Sequence, residues 1–307
     1  MNSKEKISVA IPFYGVFKED RVNLVLDSMG LQKEVDLEVV VVEQSRSPTL
    51  KKDNFLSIIK YIHIPISNKD GEFFCPGVVR NKAVSECNNP FVYSSDGDII
   101  FQNPYFLKES IQLLKELNGG ILFRPPMKRL PLECFQEFSE DTKLNGIELS
   151  LSHLDRSKPY LATGSHKVGM KIFKKFESGR MKTFLYTETD YENYIRDSAK
   201  GYEPFYSTLE THAGGTLMLK KQFNLVGGFS LRFAGWGCQD ADLQWKLKES
   251  FGFLQFPTEE RFEVLHLDHP KGYFSKERWM QNKEIQQSRR IVGVGPSIEE
   301  DLRNYNV

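Results

Sequence analysis

The stretch FVYSSDGDIIF, at residues 91–101, decides the fold. Aromatic and β-branched residues enter it and leave it, which predicts a buried strand, a carboxylate pair and a short second strand. Asp96 and Asp98 are two apart, so in extended backbone they face the same side, and Gly97 lets the chain turn and a ligand approach. Two hard oxygen ligands suit Mg²⁺ or Mn²⁺. Taken alone, the motif is equally well explained as a solvated turn, because Asp-Gly is a common turn dipeptide.

Upstream of this stretch, short apolar runs alternate with amphipathic segments. The predicted strands and helices, in chain order, lie at residues 7–13, 21–29, 37–42, 61–64 and 76–84. Their order is typical of an α/β fold with a mostly parallel central sheet and flanking helices. Ligands bind such sheets at the carboxyl ends of the strands. Pro12, Glu43 and the aspartate pair all lie at predicted strand ends, and Pro12 is expected to stop its strand.

Downstream, the pattern is clear on both sides of a weakly patterned middle. Further strands and helices are predicted at residues 104–117, 121–124, 214–219, 220–226, 239–251, 262–267 and 275–290. Between residues 127 and 206 we expect an insertion over the sheet or long loops near a ligand, with some helices that the pattern does not locate. The tail after Gly295 is expected to be loosely held.

The bulk composition excludes some classes of function. The chain has 307 residues, 40% of them hydrophobic, and its 41 basic residues balance 41 acidic ones. That length can bury a full core, and the missing basic excess argues against a nucleic-acid-binding protein. Four cysteines without CxxC spacing, no signal-peptide pattern and no apolar run of ~20 residues predict a cytoplasmic protein, either free or peripheral at the inner face of a membrane.

Three glycine-rich elements in the last third carry a family resemblance. They are Gly214-Gly215 before a strand, Gly227-Gly228-Phe229, and a Gly-Trp-Gly-x-x-Asp block at residues 235–240. With the aspartate pair upstream and a histidine pair downstream, they resemble the β-1,4-galactosyltransferase-like group of GT-A glycosyltransferases. Bacterial chondroitin-polymerase-type and capsule enzymes share this layout. The resemblance covers the N-terminal sheet to Phe101 and then residues 214–270.

The resemblance implies a fold, a division of the chain and an activity. The fold is the GT-A, Rossmann-like, nucleotide-diphospho-sugar transferase fold. Its parts are a nucleotide-sugar-binding half at 1–126, an insertion or acceptor-side segment at 127–210, an acceptor and catalytic half at 211–272, and a C-terminal helix and tail at 273–307. The implied activity is metal-dependent, inverting transfer from a UDP-sugar to a hydroxyl of a glycan or lipid-linked glycan, in bacterial surface polysaccharide synthesis.

Two other functions are weighed against that activity. The first is a non-catalytic nucleotide-sugar or glycan-binding module on the same scaffold. The second is a nucleotidyltransferase, which also uses a carboxylate-held metal. It lacks support, because no glycine-rich phosphate loop with a following basic residue appears after the first strand.

On the nucleotide side, the resemblance gives roles to five residues. Pro12 and Phe13 are expected near the nucleotide, and Glu43 near the base or ribose. Arg80 matches the arginine of an Arg-Asn-x-Ala element that lies over the nucleotide. Asp96 is expected to hold the ribose or to support the metal.

On the acceptor side, Asp240 is expected to be the general base, which takes the proton of the attacking hydroxyl. Asp242 is a weaker second candidate. The expected acceptor or sugar-binding residues are Gly215, Trp236, Gly237 and Gln239. Trp236 offers a flat face for a sugar ring. Gln239 stands where the family usually has an acidic residue, and its amide can still bond to sugar hydroxyls.

The implied metal is Mn²⁺ or Mg²⁺. Asp98 is expected to bind it directly, and His266 or His269, or both, to complete the site, because Mn²⁺ accepts mixed oxygen and nitrogen ligands. The other histidines lack a partner pattern and are predicted to be structural: His63, His153, His166 and His212. The place of His212 just before Gly214 would still allow it to face the cavity.

Overall fold

The computed structural model describes residues 4–14, 19–51, 56–66, 74–116, 120–130, 132–154, 170–177, 180–187, 205–206, 210–257, 259–269 and 274–305. The strands there are β1 (Glu5–Tyr14), β2 (Val35–Ser45), β3 (Ile59–Pro65), β4 (Phe91–Ser94), β5 (Ile99–Phe101), β6 (Ile121–Phe123), β7 (Pro126–Leu130), β8 (Met170–Glu177), β9 (Arg180–Thr187), β10 (Phe205–Tyr206), β11 (Glu210–Thr211), β12 (Thr216–Leu219), β13 (Phe253–Gln255) and β14 (Val264–Leu267). The α-helices are α1 (Glu19–Met29), α2 (Pro76–Ser85), α3 (Phe106–Glu116), α4 (Leu132–Asn145), α5 (Ile147–His153), α6 (Lys220–Leu225), α7 (Gln239–Phe251), α8 (Lys276–Val292) and α9 (Val294–Asn304).

A seven-stranded sheet forms the centre of the molecule, with strand order β13-β6-β12-β4-β1-β2-β3. The pairs β1–β2, β1–β4, β2–β3 and β6–β13 are parallel, whereas β12 is antiparallel to both its neighbours. The predicted α/β architecture with a mostly parallel sheet is therefore confirmed.

The middle parts of β1 and β2 are mostly apolar and buried because both faces of the sheet are covered. In β1, Val9 and Ile11 point to a core that includes side chains of α1 and α3. Ala10 points the other way, to a core that includes side chains of α2 and α7. Successive strand residues alternate between faces, so one continuous run supplies both cores. Each fully buried Val or Ile contributes roughly 1.5–3 kcal/mol relative to an exposed one.

A second, four-stranded sheet in the order β11-β7-β14-β5 adjoins the carboxyl end of β4. The chain leaves the central sheet at Ser94 and enters the smaller one at Ile99. Asp96 and Asp98 lie on the connection between the two sheets. The predicted strand–turn–strand at residues 91–101 is confirmed, and the turn lies where the two sheets separate.

The expectation that Pro12 stops its strand is wrong, because β1 continues to Tyr14. The neighbouring β4 ends at Ser94, opposite Ala10, so Pro12 lies beyond the β4 ladder. On its other side Pro12 is paired with Val42 of β2. A proline lacks only the backbone N–H, and its position past the end of one neighbour makes that loss tolerable.

The expectation of a loose tail after Gly295 is also wrong. Residues 294–304 form α9, and Asp301 on it is buried and bonded to Lys246 and Arg289. In the weakly patterned middle, the expected helices are present as α4 and α5, while residues 155–169 and 188–204 lie outside the described part of the chain. Among the described residues, every helix is too short or too polar to serve as a membrane span.

Candidate active site

Arg80 of α2 joins two carboxylates from distant parts of the chain. One guanidinium nitrogen donates to Asp96 Oδ1 at 2.5 Å, and the other donates to Asp240 Oδ1 in the first turn of α7. The guanidinium is almost buried and lies 5.2 Å from the centre of the Phe229 ring. Asn81, the next residue, fixes the backbone of Phe229 through two hydrogen bonds of 2.8 and 2.9 Å. The Arg-Asn and Gly-Gly-Phe elements are therefore one structural unit.

His212, predicted to be structural, lies in the site. Its Nε2 is 2.8 Å from Asp96 Oδ2, and its side chain is buried. Its position just before the double glycine was the one signal in the sequence that it could face the cavity.

The double glycine is required by this close packing. A Cβ on Gly214 would lie 2.5 Å from Asp96 Oδ2, and one on Gly215 would lie 2.7 Å from Tyr93 Oη and 2.8 Å from His212 Nδ1. Real Cβ atoms do not approach that closely. Gly215 thus lies beside Tyr93 and His212, and its predicted sugar contact stays a prediction.

Asp98, His266 and His269 form a second cluster next to the first. Asp98 Oδ2 is 2.9 Å from His269 Nε2 and 3.3 Å from His266 Nε2. The strand register explains the meeting, because β14 runs antiparallel to β5 with His266 opposite Ile99. Leu267 N donates to Asp98 O at 2.8 Å, which fixes the backbone between the two histidines.

The Asp98 cluster has the composition of a metal site. One ligand atom from each of its three residues lies within 4.8 Å of the others. Arg129 Nη1 lies 3.2 Å from both His266 Nδ1 and Asp268 Oδ1, so the outer side of this imidazole is also held. A carboxylate with two imidazoles is a donor set that Mn²⁺ accepts.

The carboxylates of the site differ in proton affinity. Burial acts to raise the pKa of Asp96, but Arg80 and His212 outweigh it and lower the pKa to about 2. Burial also opposes ionisation of Asp98, and the two imidazoles bring its pKa well below the usual range. In Asp240, burial raises the pKa above its ordinary value, with help from the Asp96 charge and against the pull of Arg80. Asp240 is therefore the strongest proton acceptor of the three.

Four buried polar atoms around Asp96 have no hydrogen-bond partner among the described residues. They are Arg80 Nε, Tyr93 Oη, Ser95 Oγ and His212 Nδ1. Buried polar groups are normally bonded, and those that are not call for a ligand or water. Their concentration around one carboxylate indicates a binding site.

The glycine-rich loop at residues 234–238 runs past the site into α7. Gly235, Gly237 and Cys238 have φ values of 65°, 110° and 72°. Trp236 is 46% exposed, and its ring meets that of Phe274 edge to face, with centroids 5.6 Å apart. The exposed face of Trp236, in the loop that leads into the helix bearing Asp240, is of the kind on which a sugar ring packs.

Two predicted residues beside Asp240 have structural contacts. Gln239 is buried and donates to Gly235 O at 2.5 Å, so it stabilises the loop, and its predicted sugar contact stays a prediction. Asp242 is fully buried and accepts from Arg289 at 2.9 and 3.2 Å. A carboxylate held in this way is a poor candidate for the base.

The predicted nucleotide-side residues lie at the carboxyl ends of β1 and β2. Glu43 is buried and accepts hydrogen bonds from Ser45, Thr49 N and Tyr61. Burial acts to raise its pKa, and these bonds lower it overall. Phe13 is paired with Glu43 in the strand register, and both Pro12 and Phe13 are buried, with Gly97 close to Pro12 O.

Comparison with known proteins bears on the fold that holds this site. Residues 198–270 match the sequence model of the N-terminal domain of galactosyltransferase, which covers less than half of the chain. Among solved structures, residues 1–349 of TarS from S. aureus in complex with UDP align over 98% of this chain and 70% of theirs, with a TM-score of 0.52 and 15% identity. The fold is GT-A. The predicted resemblance and fold class are thereby confirmed.

Two further structures agree with that assignment. The same part of TarS in complex with UDP-GlcNAc gives a TM-score of 0.54 at 15% identity, over 98% of this chain and 71% of that one. The mannosyltransferase PcManGT from Pyrobaculum calidifontis, in complex with GDP-Man and Mn²⁺, gives 0.50 at 13% identity, over 98% and 69%. A search of curated protein sequences found no match. The chain thus has the fold, and one sequence segment, of a glycosyltransferase.

Proposed function

We propose that the chain is a divalent-metal-dependent, inverting glycosyltransferase that moves a sugar from a UDP-sugar to a hydroxyl of a glycan. The observation that carries the proposal is the Arg80 guanidinium, which bonds to both Asp96 and Asp240. It joins the aspartate pair of the nucleotide half to the candidate base of the acceptor half. In a direct displacement, the bound donor sugar and the general base must lie close together, on either side of the attacking hydroxyl.

Asp98, His266 and His269 are the residues that would hold the metal. Their proximity and their mixed oxygen and nitrogen donors fit Mn²⁺. When bound, the cation would stabilise the negative charge that develops on the leaving diphosphate. On the outer side of His266, Asp268 Oδ1 lies 3.7 Å from Nδ1 and is the group that would accept the Nδ1 hydrogen when Nε2 faces the metal, while Arg129 bonds to the same Asp268.

Asp240 is the proposed general base. Its raised pKa brings its proton affinity closer to that of a working base at neutral pH, which favours proton transfer from the acceptor hydroxyl. Arg80 orients the carboxylate. Trp236, with Gly237 beside it in the chain, and Gly215, next to His212, form the proposed acceptor and sugar side of the site. Gln239 is proposed to contribute indirectly, by stabilising the loop that carries Trp236.

Glu43, Pro12 and Phe13 form the proposed nucleotide side, with Asp96 at the ribose. UDP as the nucleotide is supported by the TarS complexes with UDP and UDP-GlcNAc. The proposed division of labour is a nucleotide-sugar half at residues 1–126, an acceptor half at 211–272, an acceptor-side segment at 127–210 between them, and a C-terminal part from 273. A role in surface polysaccharide synthesis at the cytoplasmic face of a membrane belongs to the same proposal.

The proposal is tested with the purified chain, a panel of UDP- and GDP-sugars, and Mn²⁺. A specific UDP-sugar should raise the melting temperature only when Mn²⁺ is present, because a ligand that binds only the folded state stabilises it. The same UDP-sugar should then support transfer to a glycan acceptor. Asp98→Asn should abolish Mn²⁺ binding in calorimetry while the melting temperature without metal is kept. Transfer that survives complete chelation would refute metal dependence, and nucleotide-sugar binding without transfer or hydrolysis would favour the non-catalytic module.

A further inference from the structure

The glycine-rich loop at residues 234–238 includes a backbone conformation that its own residues do not all favour. Gly235 and Gly237 tolerate positive φ, but Cys238 has a side chain and still adopts a φ of 72°. Such a conformation persists only where the surrounding structure holds it. The loop also exposes Trp236, so it does not owe its shape to burial of its largest side chain.

Asn282 supports this loop from another helix, in addition to the bond from Gln239. It lies on α8, is 2% exposed, and its Nδ2 reaches three loop carbonyls: Ala234 O at 3.0 Å, Gly237 O at 3.2 Å and Trp236 O at 3.3 Å. The amide nitrogen has two hydrogens, so the three carbonyls share them. Trp279, one turn earlier on α8, packs against the loop at Gly237. A Cβ on Gly237 would lie only 2.8 Å from Trp279 Cδ1.

We propose that Asn282 is a positioning residue that sets the shape of the 234–238 loop and thereby the affinity for the acceptor. The acceptor part of this inference rests on the proposed function. The same helix also holds the start of α7, because Arg290 donates to Ala241 O at 3.1 Å and Arg289 pairs with Asp242. Helix α8 therefore fixes both Trp236 and the turn that bears Asp240. It lies outside residues 198–270, which carry the galactosyltransferase match.

Among the described residues, the contacts that position the donor side do not involve Asn282. Asp98, His266 and His269 are positioned by the pairing of β5 with β14, and Asp96 by Arg80 and His212. The described hydrogen bonds of Asn282 reach none of these residues. Loss of its amide should therefore weaken acceptor binding and leave donor binding intact.

Asn282→Asp is the sharpest test, because it keeps the size of the side chain, removes both N–H donors and places carboxylate oxygen against carbonyl oxygen. We expect the KM for the acceptor to rise roughly tenfold, as a displaced binding surface would cause. The KM for the UDP-sugar and its acceptor-independent hydrolysis should stay unchanged. Hydrogen exchange of a peptide spanning residues 233–240 should accelerate, while peptides from β1 and β2 exchange as in the wild type.

Asn89→Asp is the matched control. Asn89 also donates through Nδ2 to a backbone carbonyl, Ile7 O at 3.0 Å, but at the start of β1, at the opposite end of the sheet. The Asn89→Asp variant should leave the acceptor KM and the hydrogen exchange of the 234–238 loop unchanged. Asn282→Ser, which adds no charge and keeps one donor, serves if the aspartate variant does not fold.

Two results would overturn the inference. One is a loop in the Asn282 variants that exchanges as slowly as in the wild type, a result that holds whether or not the chain transfers a sugar. The other is an active variant in which donor and acceptor KM rise together. A wild-type chain that binds UDP-sugar without transfer would refute the proposed function instead, and loop exchange would still decide the role of Asn282.

Discussion

Asp240 and Asp242 stand two residues apart in the first turn of α7, and their environments are opposite. The side chain of Asp240 is 25% exposed and shares Arg80 with Asp96, next to buried polar atoms that have no hydrogen-bond partner in the described part of the chain. The side chain of Asp242 is fully buried and bonded to Arg289 at both oxygens. Arg289 and Lys246 also bond to Asp301 of α9, and Lys246 donates to the carbonyls of Val226 and Gly228.

The difference shows how to distinguish a carboxylate that is available for catalysis from one that stabilises the fold. Both aspartates have a pKa raised by burial, and both face an arginine. They differ in whether their hydrogen-bonding groups are satisfied and whether a ligand can reach them. A satisfied, inaccessible cluster ties helices together, whereas a partly satisfied, accessible one is available to a substrate.

The largest expected effect is that of Asp240→Asn. The amide cannot take the acceptor proton, so transfer should fall about 1,000-fold. Melting temperature and Mn²⁺-dependent UDP-sugar binding should stay close to the wild type, because the asparagine oxygen can still accept from Arg80 and Arg80 keeps Asp96 as its charged partner. Turnover and thermal unfolding, measured on the same preparation, check the expected loss of activity and the expected unchanged stability. An Asp240→Asn enzyme with full turnover would remove the base assignment.

Asp242→Asn should give the reverse result. It leaves Arg289 with one carboxylate fewer in a buried cluster, and breaking such a pair costs about 3 kcal/mol of unfolding free energy. Urea unfolding should show this loss, while kcat at temperatures well below the melting point falls less than tenfold. If instead activity fell as far as for Asp240→Asn in a stably folded protein, the two carboxylates would not have separate roles.

Gly214→Ala probes the site with a single methyl group. The new Cβ would lie 2.5 Å from Asp96 Oδ2 and displace the carboxylate, so transfer should fall roughly 100-fold. Gly295→Ala is the control on the scaffold side, where a Cβ in α9 meets open space and should raise stability by about 0.5 kcal/mol. Steady-state kinetics and urea unfolding of both variants test this contrast. Equal effects in the two variants would contradict it.

The smallest expected effect concerns Glu86, a partly exposed carboxylate away from both clusters. Lys60 and Lys82 lower its pKa from 4.5 to about 2. A carboxyl group whose pKa is lower in the folded state adds stability above its unfolded pKa and loses it as the pH falls through its folded pKa. Glu86→Gln should therefore cost about 0.5 kcal/mol at pH 7, and less below pH 4.5. Urea unfolding at pH 7 and pH 3.5 measures the difference, and a loss that grows toward acid would contradict this account.

Much of the fold was predictable because its signals are local. Continuous apolar runs gave the parallel strands, and their ends gave the edge of the sheet where Asp96, Asp98 and Glu43 lie. The histidine pair near a strand end was likewise predictable, and the structure brings both imidazoles to Asp98. The course of β1 past Pro12 was not, since it depends on where the neighbouring β4 ends.

The helical tail and the roles of His212 and Asn282 were missed for a different reason. Each depends on a contact between residues far apart in the chain: Asp301 with Lys246, His212 with Asp96, and Asn282 with the loop carbonyls. A polar helix has no periodic signal that says which of its side chains will be buried. Only packing against another element decides it.

The sequence by itself determined the strands between residues 7 and 124, those near residues 214–219 and 262–267, the turn that carries the aspartate pair and the helix that carries Asp240 and Asp242. It also determined that these two aspartates face different ways, because each helical residue turns about 100° from the last. Which of them faces the cleft was decided only by the tertiary structure, through Arg80 on one side and Arg289 on the other. The physical reason is that strand and helix periods are set by neighbouring residues, whereas the partner of a charge is set by the packing of distant ones.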